Sequence, residues 1–426
     1  MEIIKYPARD AWSEILKRPE LNYSELFESV ENILAEVREN GDSALRNFSK
    51  QFDNVEIDAF EVSKEELQEA EKLVPAELKQ AIEMARRNIW KFHSEQQKDY
   101  TEIETSPGVF CWQKALPIDK VGLYIPGGSA PLFSTVLMLG IPAQIAECKE
   151  VILCTPPSKD GKVHPAILHA AQVSGVHKIF KVGGAQAIAA MAYGTESIPK
   201  VYKIFGPGNQ YVTAAKQLIS LSDTAIDMPA GPSEVEVLAD ENANPIYVAA
   251  DLLSQAEHGA DSQVILVTTS EELIEEVLEQ IEIQIEKLPR KEIARKALDN
   301  SKIILLKNLD DAIALTNEYA PEHLIISTRS YMVVAEHITN AGSVFLGNMS
   351  PESAGDYVSG TNHTLPTHGF AKAYSGVNLD SFYKKITFQH ITSEGLNNIS
   401  NAIILMAENE GLQAHVNAVK LRLEKS

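Results

Sequence analysis

The strongest constraint on the fold is a regular alternation of short β-rich runs with alanine-rich helical runs, which begins near Val121 and continues to about Asp240. An alternation of this kind predicts a parallel sheet covered by helices. A second alternating region, from Val235 to about Gly347, predicts a second unit of the same α/β class. The predicted strands are 121–125, 151–155, 178–182 and 203–205 in the first unit, and 235–238, 263–267, 303–306, 324–327 and 343–346 in the second. The predicted helices are 135–147, 165–174, 185–192, 211–219, 246–255, 271–287, 291–298, 309–319 and 332–338.

The two ends of the chain have a different pattern, which indicates helices. Apolar residues recur at helical spacing over 23–46 and 67–93, and Ser63 with Glu66 has the pattern of a capping box. The C-terminal segment 399–424 is amphipathic and is also predicted to be helical. The length of 426 residues suggests two or three domains. We find no sequence repeat that relates the two α/β units.

Glycines stand where predicted strands of the first unit lead into helices. The turns are Pro126-Gly127-Gly128, Gly183-Gly184 and Gly206-Pro207-Gly208. Open α/β sheets bind ligands outside the carboxyl ends of their strands, and bare helix N-termini there attract phosphate. The GxGxxG fingerprint is absent, because Tyr211 stands where the third glycine would be. Ordinary turn glycines explain the pattern equally well.

The charge and the cysteines exclude several classes of protein. The formal charge is 38 − 59 = −21, so nucleic acid and anionic lipid are not expected as partners. The uncharged stretch 121–146 is interrupted by prolines and glycines, which indicates a buried interior segment rather than a membrane span. The three cysteines form no CxxC pair, and the N-terminus has no signal-peptide pattern, so we expect a cytoplasmic protein.

Two polar pairs in the second unit are candidates for chemistry. Gln255 and His258 are three residues apart at the end of a predicted helix, so they share one face, as either ligands or an ordinary polar helix end. Glu322 and His323 immediately precede an apolar strand. Histidine titrates near neutral pH and suits acid–base catalysis, and the adjacent carboxylate can activate water.

Further candidates lie closer to the C-terminus. Asp356 and His363 belong to a polar, glycine-rich loop, which fits either a metal and substrate site or a solvated turn. Gly411 is expected to break the C-terminal helix, and His415 opens its last part. Mixed nitrogen and oxygen ligands of this kind suit zinc, although spacing alone does not define a site here.

Taken in order, a set of short segments resembles the histidinol dehydrogenase family over essentially the whole chain. The segments are VGLYIPGG, GGAQAIAA, FGPGNQYV, MPAGPSE, AEHG, PEHL, SAGDYVSGTNH and GLQAH. Each motif is modest by itself, but the ordered set is specific. The resemblance implies that L-histidinol is oxidised to L-histidine by two successive hydride transfers to NAD, through an enzyme-held histidinaldehyde.

The resemblance also implies roles for individual residues. His323 would be the general base, and Glu322 would activate the water that hydrates the aldehyde. One Zn²⁺ per subunit would be held by Gln255, His258, Asp356 and, from the partner subunit of a homodimer, His415. The substrate would complete the zinc shell through its imidazole and amino nitrogens. The expected substrate contacts are Ser233, Gln255, His258, His323, Asp356, His363, Glu410 and His415, and the expected NAD contacts are Tyr124, Gln186 and Asn209.

The expected architecture is two Rossmann-like parallel-sheet domains with N-terminal helices and a C-terminal helical tail exchanged in a dimer with shared active sites. The expected division is an arm at 1–20, a zinc domain of 21–120 with 236–378, an NAD domain at 121–235, and a dimerisation tail at 379–426. Two alternatives stay open, namely a zinc-dependent hydrolase and the same oxidation of another amino alcohol. Cys111 and Cys154 have no neighbouring His or Lys that would activate a thiol, and Cys148 precedes Lys149 but ends an apolar helix, so all three are expected to be dispensable.

Overall fold

The computed structural model describes residues 1–18, 23–127, 130–221 and 223–424. The chain forms two parallel sheets covered by helices and one small antiparallel sheet. The strands are β1 (Glu2–Lys5), β2 (Ile103–Ser106), β3 (Val109–Pro117), β4 (Lys120–Tyr124), β5 (Glu150–Thr155), β6 (Lys178–Lys181), β7 (Lys203–Phe205), β8 (Ala225–Ile226), β9 (Glu234–Ala239), β10 (Gln263–Thr268), β11 (Lys302–Leu305), β12 (His323–Ser327), β13 (Ser343–Leu346) and β14 (Tyr383–Ile391).

The α-helices follow the predicted pattern closely between residues 133 and 335. They are α1 (Trp12–Ile15), α2 (Tyr23–Phe48, bent at Gly41), α3 (Lys64–Leu73), α4 (Ala76–Ser94), α5 (Phe133–Ile145), α6 (Pro165–Val173), α7 (Gly184–Tyr193), α8 (Gln210–Ser220), α9 (Pro245–Ala256), α10 (Glu271–Ile285), α11 (Lys291–Asp299), α12 (Leu309–Tyr319), α13 (Tyr331–Ala335), α14 (Glu352–Tyr357), α15 (Ser393–Asn409) and α16 (Gln413–Leu423).

The five-stranded sheet has the order β6-β5-β4-β7-β8, and all its strands are parallel. Successive residues of a strand point to opposite faces, so Leu123 and Leu153 pack with α5 and α6, whereas Ile152 and Cys154 pack with α7 and α8. The strand order reverses between β4 and β7, which is where open sheets of this type bind ligands. The predicted α/β unit is therefore confirmed. Of its predicted glycine turns, Gly128 lies outside the described residues.

The six-stranded sheet has the order β1-β11-β10-β9-β12-β13 and is also parallel throughout. Helices α9, α10 and α11 cover one face, and α12 with Trp12 and Leu16 covers the other. If β1 is left out and the five remaining strands of each sheet are numbered along the chain, both sheets have the strand order 3-2-1-4-5. The two units therefore share a topology that no sequence repeat reveals.

The N-terminal helices pack on the five-stranded sheet. Residues of α2 belong to the same apolar core as α7 and α8, and residues of α4 pack with α5. The capping box is present as predicted: Ser63 Oγ accepts from the Glu66 N–H at 3.1 Å, and the Glu66 carboxylate accepts from the Ser63 N–H at 2.8 Å. The division into domains given above remains a prediction, and these contacts favour grouping residues 26–94 with the five-stranded sheet.

The uncharged stretch 121–146 forms β4 and the interior helix α5, whose residues are buried on nearly all sides. None of the helices in the described ranges is long and apolar enough to span a membrane.

The antiparallel sheet β14-β3-β2 was not predicted from the sequence. Its strands are mostly half-exposed or exposed, so they lack the apolar runs that mark the interior strands. Strand β14 leads into the tail helices α15 and α16. The predicted helix break at Gly411 is confirmed, because Gly411 lies between these helices with a φ of 74°.

Glu236 in β9 gives rise to a prediction about pH and stability. Its carboxyl group is fully buried; Thr316 Oγ1 donates to Oε1, and Oε2 has no partner within the described part of the chain. Burial raises the pKa of Glu236 to about 8. An unfolded glutamate titrates near pH ~4.3. The folded state therefore retains a proton that the unfolded state has lost, and the free energy of unfolding falls as pH rises between these two values.

We expect the stability advantage of wild type over Glu236→Gln to shrink by up to about 1.4 kcal/mol per pH unit between pH ~5 and ~8, and then to level off. Urea unfolding of both proteins at several pH values measures this difference. Glu318→Gln, on the exposed side of α12, is the matched control. Parallel stability–pH curves for wild type and Glu236→Gln would contradict the prediction.

Candidate active site

Two neighbouring strands bring the predicted Glu-His pair to the amino edge of the six-stranded sheet. His323 is the first residue of β12 and pairs with Val235 of β9, so Glu322 lies beside Glu234. Glu322 Oε2 accepts a hydrogen bond from the Glu234 N–H at 2.8 Å. His323 Nδ1 lies 3.2 Å from the Glu234 carbonyl oxygen, and since a carbonyl only accepts, Nδ1 carries the proton. The main chain of Glu234 therefore holds both side chains of the pair.

The carboxyl group of Glu322 is buried, and this environment shifts its titration. Burial raises the pKa of Glu322 to about 7, with a further rise from the Glu234 and Asp356 carboxylates and an opposing effect of His323. A carboxyl group with this pKa exchanges its proton near neutral pH. Such a group is suited to activating water.

His323 is surrounded by carboxylates. Burial by itself would lower the pKa of the imidazole, but the carboxylates of Glu352, Glu322 and Asp356 raise it to about 10. Nε2, the nitrogen left for proton transfer, is buried, and no hydrogen-bond partner for it is found among the described residues. It lies 3.7 Å from Asp356 Oδ1, beyond hydrogen-bond distance. The histidine therefore directs an unsatisfied nitrogen into a cluster of negative charge.

The short helix α14 and the end of α9 complete this cluster. Single ligand atoms of His323, Glu352 and Asp356 all lie within 4.8 Å of one another, which is a spacing that suits a metal ion. The Gln255 amide fits its surroundings when its nitrogen donates to Glu352 and its oxygen accepts from the Glu234 N–H at 3.2 Å. The unsatisfied His323 nitrogen and these oxygen donors fit a divalent cation of the zinc class.

Glu352 was not singled out in the sequence, although its side chain is almost fully buried in the cluster. Its carboxylate lies 3.7 Å from His323 Nδ1 and accepts from Ser254 Oγ at 3.4 Å. Burial raises the pKa of Glu352 above its usual range. It lies four residues before Asp356 on the same helix, and this i, i+4 spacing was the only signal that could have indicated it.

His258 lies at the solvent-exposed rim of the cluster. The protein atoms around its ring lower the pKa of His258, against an opposing effect of the Asp356 carboxylate. Neutral imidazole is the form that binds metals. Burial opposes ionisation of Asp356, but His323, His363 and His258 together lower the pKa of Asp356, so it stays charged. Gln255 and Asp356 thus lie in the cluster, whereas His258 lies at its rim, outside the group that His323, Glu352 and Asp356 form within 4.8 Å of one another.

The loop after α14 connects the cluster to the other sheet. His363 Nδ1 donates to the Asp356 carbonyl oxygen at 2.9 Å, so Nε2 accepts from Thr135 Oγ1 of α5 at 3.0 Å. Burial lowers the pKa of His363, which agrees with this neutral form. Asn362 Nδ2 donates to the Met138 carbonyl oxygen at 2.6 Å. These bonds place the predicted substrate contact His363 between the two sheets.

The predicted NAD contacts lie at the carboxyl edge of the five-stranded sheet. Tyr124 ends β4 and accepts from the Gly184 N–H at 3.0 Å, and Gln186 lies in the first turn of α7. Asn209 is exposed and caps α8, with Oδ1 accepting from two amides. Burial raises the pKa of the Tyr124 phenol well above its usual range, so it remains a neutral hydroxyl. The three residues flank or adjoin the reversal of strand order between β4 and β7.

A buried ion pair that was not predicted supports this edge. Lys216 Nζ lies 2.5 Å from Asp227 Oδ1 and donates to the Gly206 carbonyl oxygen at 2.8 Å. Asp227 Oδ2 accepts from the Gly206 N–H at 2.8 Å. Gly206 has a φ of 129°, and a Cβ there would collide with the Tyr124 carbonyl oxygen, so only glycine fits. The ion pair thus holds the turn through hydrogen bonds to the N–H and the carbonyl oxygen of Gly206.

The remaining predicted residues lie outside this cluster or have no role in it. Ser233 precedes β9 and is half-buried, whereas Glu410 and His415 are exposed in the tail. The cysteines are unpaired; burial raises the pKa of Cys148 to about 12 and that of Cys154 still further. Such thiols are poor nucleophiles, which supports the expectation that they are dispensable.

Comparison with known proteins gives matches along the whole chain. The sequence model of the family "Histidinol dehydrogenase" matches residues 16–423. The histidinol dehydrogenase of Bacteroides thetaiotaomicron is 64% identical over 423 residues, which cover 99% of both chains. The crystal structure of histidinol dehydrogenase from Elizabethkingia anophelis is 54% identical and superposes with a TM-score of 0.98, covering 100% of this chain and 98% of that one. An acetylating aldehyde dehydrogenase from Geobacillus thermoglucosidasius, 14% identical with a TM-score of 0.50 over 89% of this chain and 94% of its own, shares the fold alone.

The cluster predicts binding of zinc that depends on Asp356. Asp356→Asn removes the central charge, so we expect at least a ~10-fold loss of zinc affinity. Competition with a chromophoric chelator measures this affinity on metal-free protein, and circular dichroism checks the fold.

The variants His258→Asn and His323→Asn then separate two ligand sets that both contain Asp356. Loss of affinity in His258→Asn alone would place the ion at the rim with Gln255. Loss in His323→Asn alone would place it with Glu352. Unchanged affinity in folded Asp356→Asn would contradict a metal site at this cluster.

Proposed function

This chain belongs to the histidinol dehydrogenase family, and on that premise we propose that it oxidises L-histidinol to L-histidine in two NAD-linked steps. It is thus an oxidoreductase of histidine biosynthesis, which leaves no ground for the hydrolase alternative. The observation that carries the two-step mechanism is the buried Glu322–His323 pair, held by one residue's main chain and directed towards Asp356. In this mechanism His323 removes protons from the alcohol and from the hydrate, and Glu322 removes a proton from water.

We propose that Gln255, His258 and Asp356 of one subunit hold Zn²⁺ together with the partner subunit's His415. When bound, the ion would position the nitrogen atoms of the substrate and supply positive charge that lowers the pKa of His323. This charge matters because the surrounding carboxylates otherwise keep His323 protonated at neutral pH. Substrate contacts are proposed for Ser233, His363 and the partner subunit's Glu410, in addition to the zinc ligands and His323.

NAD would accept the hydride released in each oxidation and would be held by Tyr124, Gln186 and Asn209. In the first step, His323 Nε2 removes the proton of the alcohol oxygen while the adjacent carbon loses its hydride, which leaves the aldehyde. Glu322 then removes a proton from water as the water oxygen bonds to the aldehyde carbon. Protonated His323 returns its proton to the former carbonyl oxygen, which gives the hydrate and leaves His323 able to act as a base again. His323 removes a proton from the resulting hydrate as the second hydride leaves, which gives the carboxylic acid.

The tail supports the proposal of a homodimer with shared sites. Leu405, Met406, Leu412 and Leu421 of α15 and α16 are apolar and exposed on the single chain. Exposed apolar patches of this kind mark contacts between proteins. Exchange of the tail would cover them and bring His415 to the other subunit's cluster. The unpaired cysteines support the further proposal of a reducing, cytoplasmic location.

The proposed function is tested by NADH yield. We expect two NADH per L-histidinol, lost after chelation and restored by Zn²⁺. His323→Asn should lower both half-reactions, by at least ~100-fold, since general base catalysis is worth this much. Glu322→Gln keeps an acceptor for the Glu234 N–H and should mainly slow oxidation of added histidinaldehyde.

Absorbance at the NADH band measures the overall reaction, and single-turnover experiments with alcohol or aldehyde separate the steps. Equal loss of both steps in Glu322→Gln would contradict the division of labour. No NADH from folded, zinc-loaded wild type would refute L-histidinol as the substrate, and another amino alcohol would then be tested.

Subunit mixing tests the shared site. A heterodimer of His415→Asn and His323→Asn chains has one intact site if His415 acts in trans, and none if it acts in cis. Random mixing of equal amounts should therefore restore about one quarter of wild-type activity. The two variants measured separately are the controls, and native mass spectrometry confirms that heterodimers form. Heterodimers without activity would contradict the exchanged tail.

A further inference from the structure

The Glu234 side chain takes part in a buried ion pair that reaches the active site from the N-terminal segment. Arg18 Nε lies 2.5 Å from Glu234 Oε1, and Arg18 Nη2 lies 2.9 Å from Oε2. The side chains are 11% and 3% exposed. Two parallel hydrogen bonds of this kind fix the carboxylate in orientation as well as in distance. The Arg18 guanidinium also stacks on the Tyr319 ring, 4.0 Å from its centroid.

Glu234 connects this ion pair with both catalytic side chains. Its N–H donates to Glu322, and its carbonyl accepts from His323 Nδ1, so a shift of this one residue displaces both groups. Its carboxylate also accepts from the His368 N–H at 2.8 Å. The acidic side chain is therefore fixed by hydrogen bonds on the far side of the strand from the reacting groups.

Arg18 holds the catalytic pair from a second direction. Nη2 donates to the carbonyl oxygen of Tyr319 at 2.8 Å and lies 3.4 Å from that of Ala320. Ala320 is in the left-handed region with a φ of 54°, which is unfavourable for a residue with a Cβ. This turn leads through Pro321 into Glu322 and His323. The Arg18 guanidinium group thus binds both the start of β9, beside the Glu322–His323 pair, and the turn at Ala320 that precedes the pair.

We propose that Arg18, acting through Glu234, is a positioning residue for the Glu322–His323 pair. The inference rests on the proposed function, since it takes these two residues as the catalytic groups. Arg18 itself touches neither the reacting groups nor the metal cluster. Its substitution is expected to change the rates of both oxidations while the NAD site, at the edge of the other sheet, stays intact.

Arg9 provides a matched control on the same N-terminal segment. It binds Asp311 of α12 with Nη2 2.6 Å from Oδ1 and lies over the Trp12 ring, but its side chain is 68% exposed. Arg9 therefore attaches the segment to the same sheet without contacting Glu234 or the turn at Ala320. If detachment of the segment from the sheet were enough to lower kcat, Arg9→Gln would lower it as well as Arg18→Gln.

The experiment compares Arg18→Gln, Arg18→Lys and Arg9→Gln as zinc-loaded proteins, in steady-state and single-turnover assays with L-histidinol and histidinaldehyde. Displacement of catalytic groups by ~1 Å costs on the order of 100-fold in rate. We expect Arg18→Gln to lower kcat by roughly 10- to 100-fold, by the same factor in both half-reactions, with the KM for NAD within about twofold of wild type. Arg18→Lys should recover only part of the rate, because lysine cannot make the paired hydrogen bonds or the stacking contact.

A double-mutant cycle shows whether Arg18 acts through Glu234. Glu234→Gln in wild type leaves Arg18 buried without its counter-charge, whereas in Arg18→Gln it leaves two neutral side chains. We therefore expect the double variant to lose no more kcat than the worse single variant. Multiplicative losses would refute action through Glu234.

A kcat of Arg18→Gln within about twofold of wild type per folded site, or equal losses in Arg9→Gln, would overturn the inference while leaving the proposed function intact. A wild-type enzyme that fails to oxidise L-histidinol would refute the proposed function and the inference with it. Melting temperatures of all variants measure the structural contribution separately.

Discussion

Parallel pairing of β9 with β12 determines where the polar side chains of the site lie. His323 pairs with Val235. The residues that precede them, Glu322 and Glu234, therefore lie side by side at the edge of the sheet. Side chains alternate between the two faces of a strand, and a slip of one residue would turn the His323 side chain to the other face. In this register Val237 and Ile325 pack in the core on one face, and Leu324 and Ile326 pack in the core on the other. The packing of the core and the geometry of the site thus depend on the same register.

The same edge concentrates negative charge in a buried space. Glu234, Glu322, Glu352 and Asp356 lie close together, and Arg18 neutralises the first of them directly. Buried carboxylates without counter-charges are costly, which is why burial raises the pKa of Glu322 and Glu352. A divalent cation and the ammonium group of an amino alcohol would supply the missing positive charge. This electrostatic requirement explains why a site of this composition suits a cationic substrate with a metal, whose positive charge would lower the pKa of His323.

The sequence predicted what depends on local pattern. Strands and helices from 121 to 346, the capping box at Ser63 and the break at Gly411 were identified because apolar periodicity and capping residues act within a few positions. The pairing of β14 with β3 was missed because it spans some 270 residues of chain, and the local pair β2–β3 was missed because its strands are largely exposed and lack apolar runs. Glu352, Arg18 and the Lys216–Asp227 pair were missed for a related reason. The role of a buried charge depends on partners that are distant in sequence, whereas each recognised motif consists of residues that are adjacent in sequence.

The two sheets share a strand order but have their candidate sites at opposite edges, and the helix ends at these edges differ in polarity. At the carboxyl edge of the five-stranded sheet, α7 and α8 begin beside Tyr124 and Asn209, so the positive ends of their dipoles face this edge. At the amino edge of the six-stranded sheet, the last turn of α9 carries Gln255 and leads to His258, so the negative end of the helix dipole faces the cluster. An anionic cofactor is favoured at the first edge and a cation at the second. The hydrogen bonds from His363 to Thr135 and from Asn362 to Met138 connect the loop after α14 with α5 of the other sheet. The proposed hydride transfer between substrate and cofactor would need a connection of this kind.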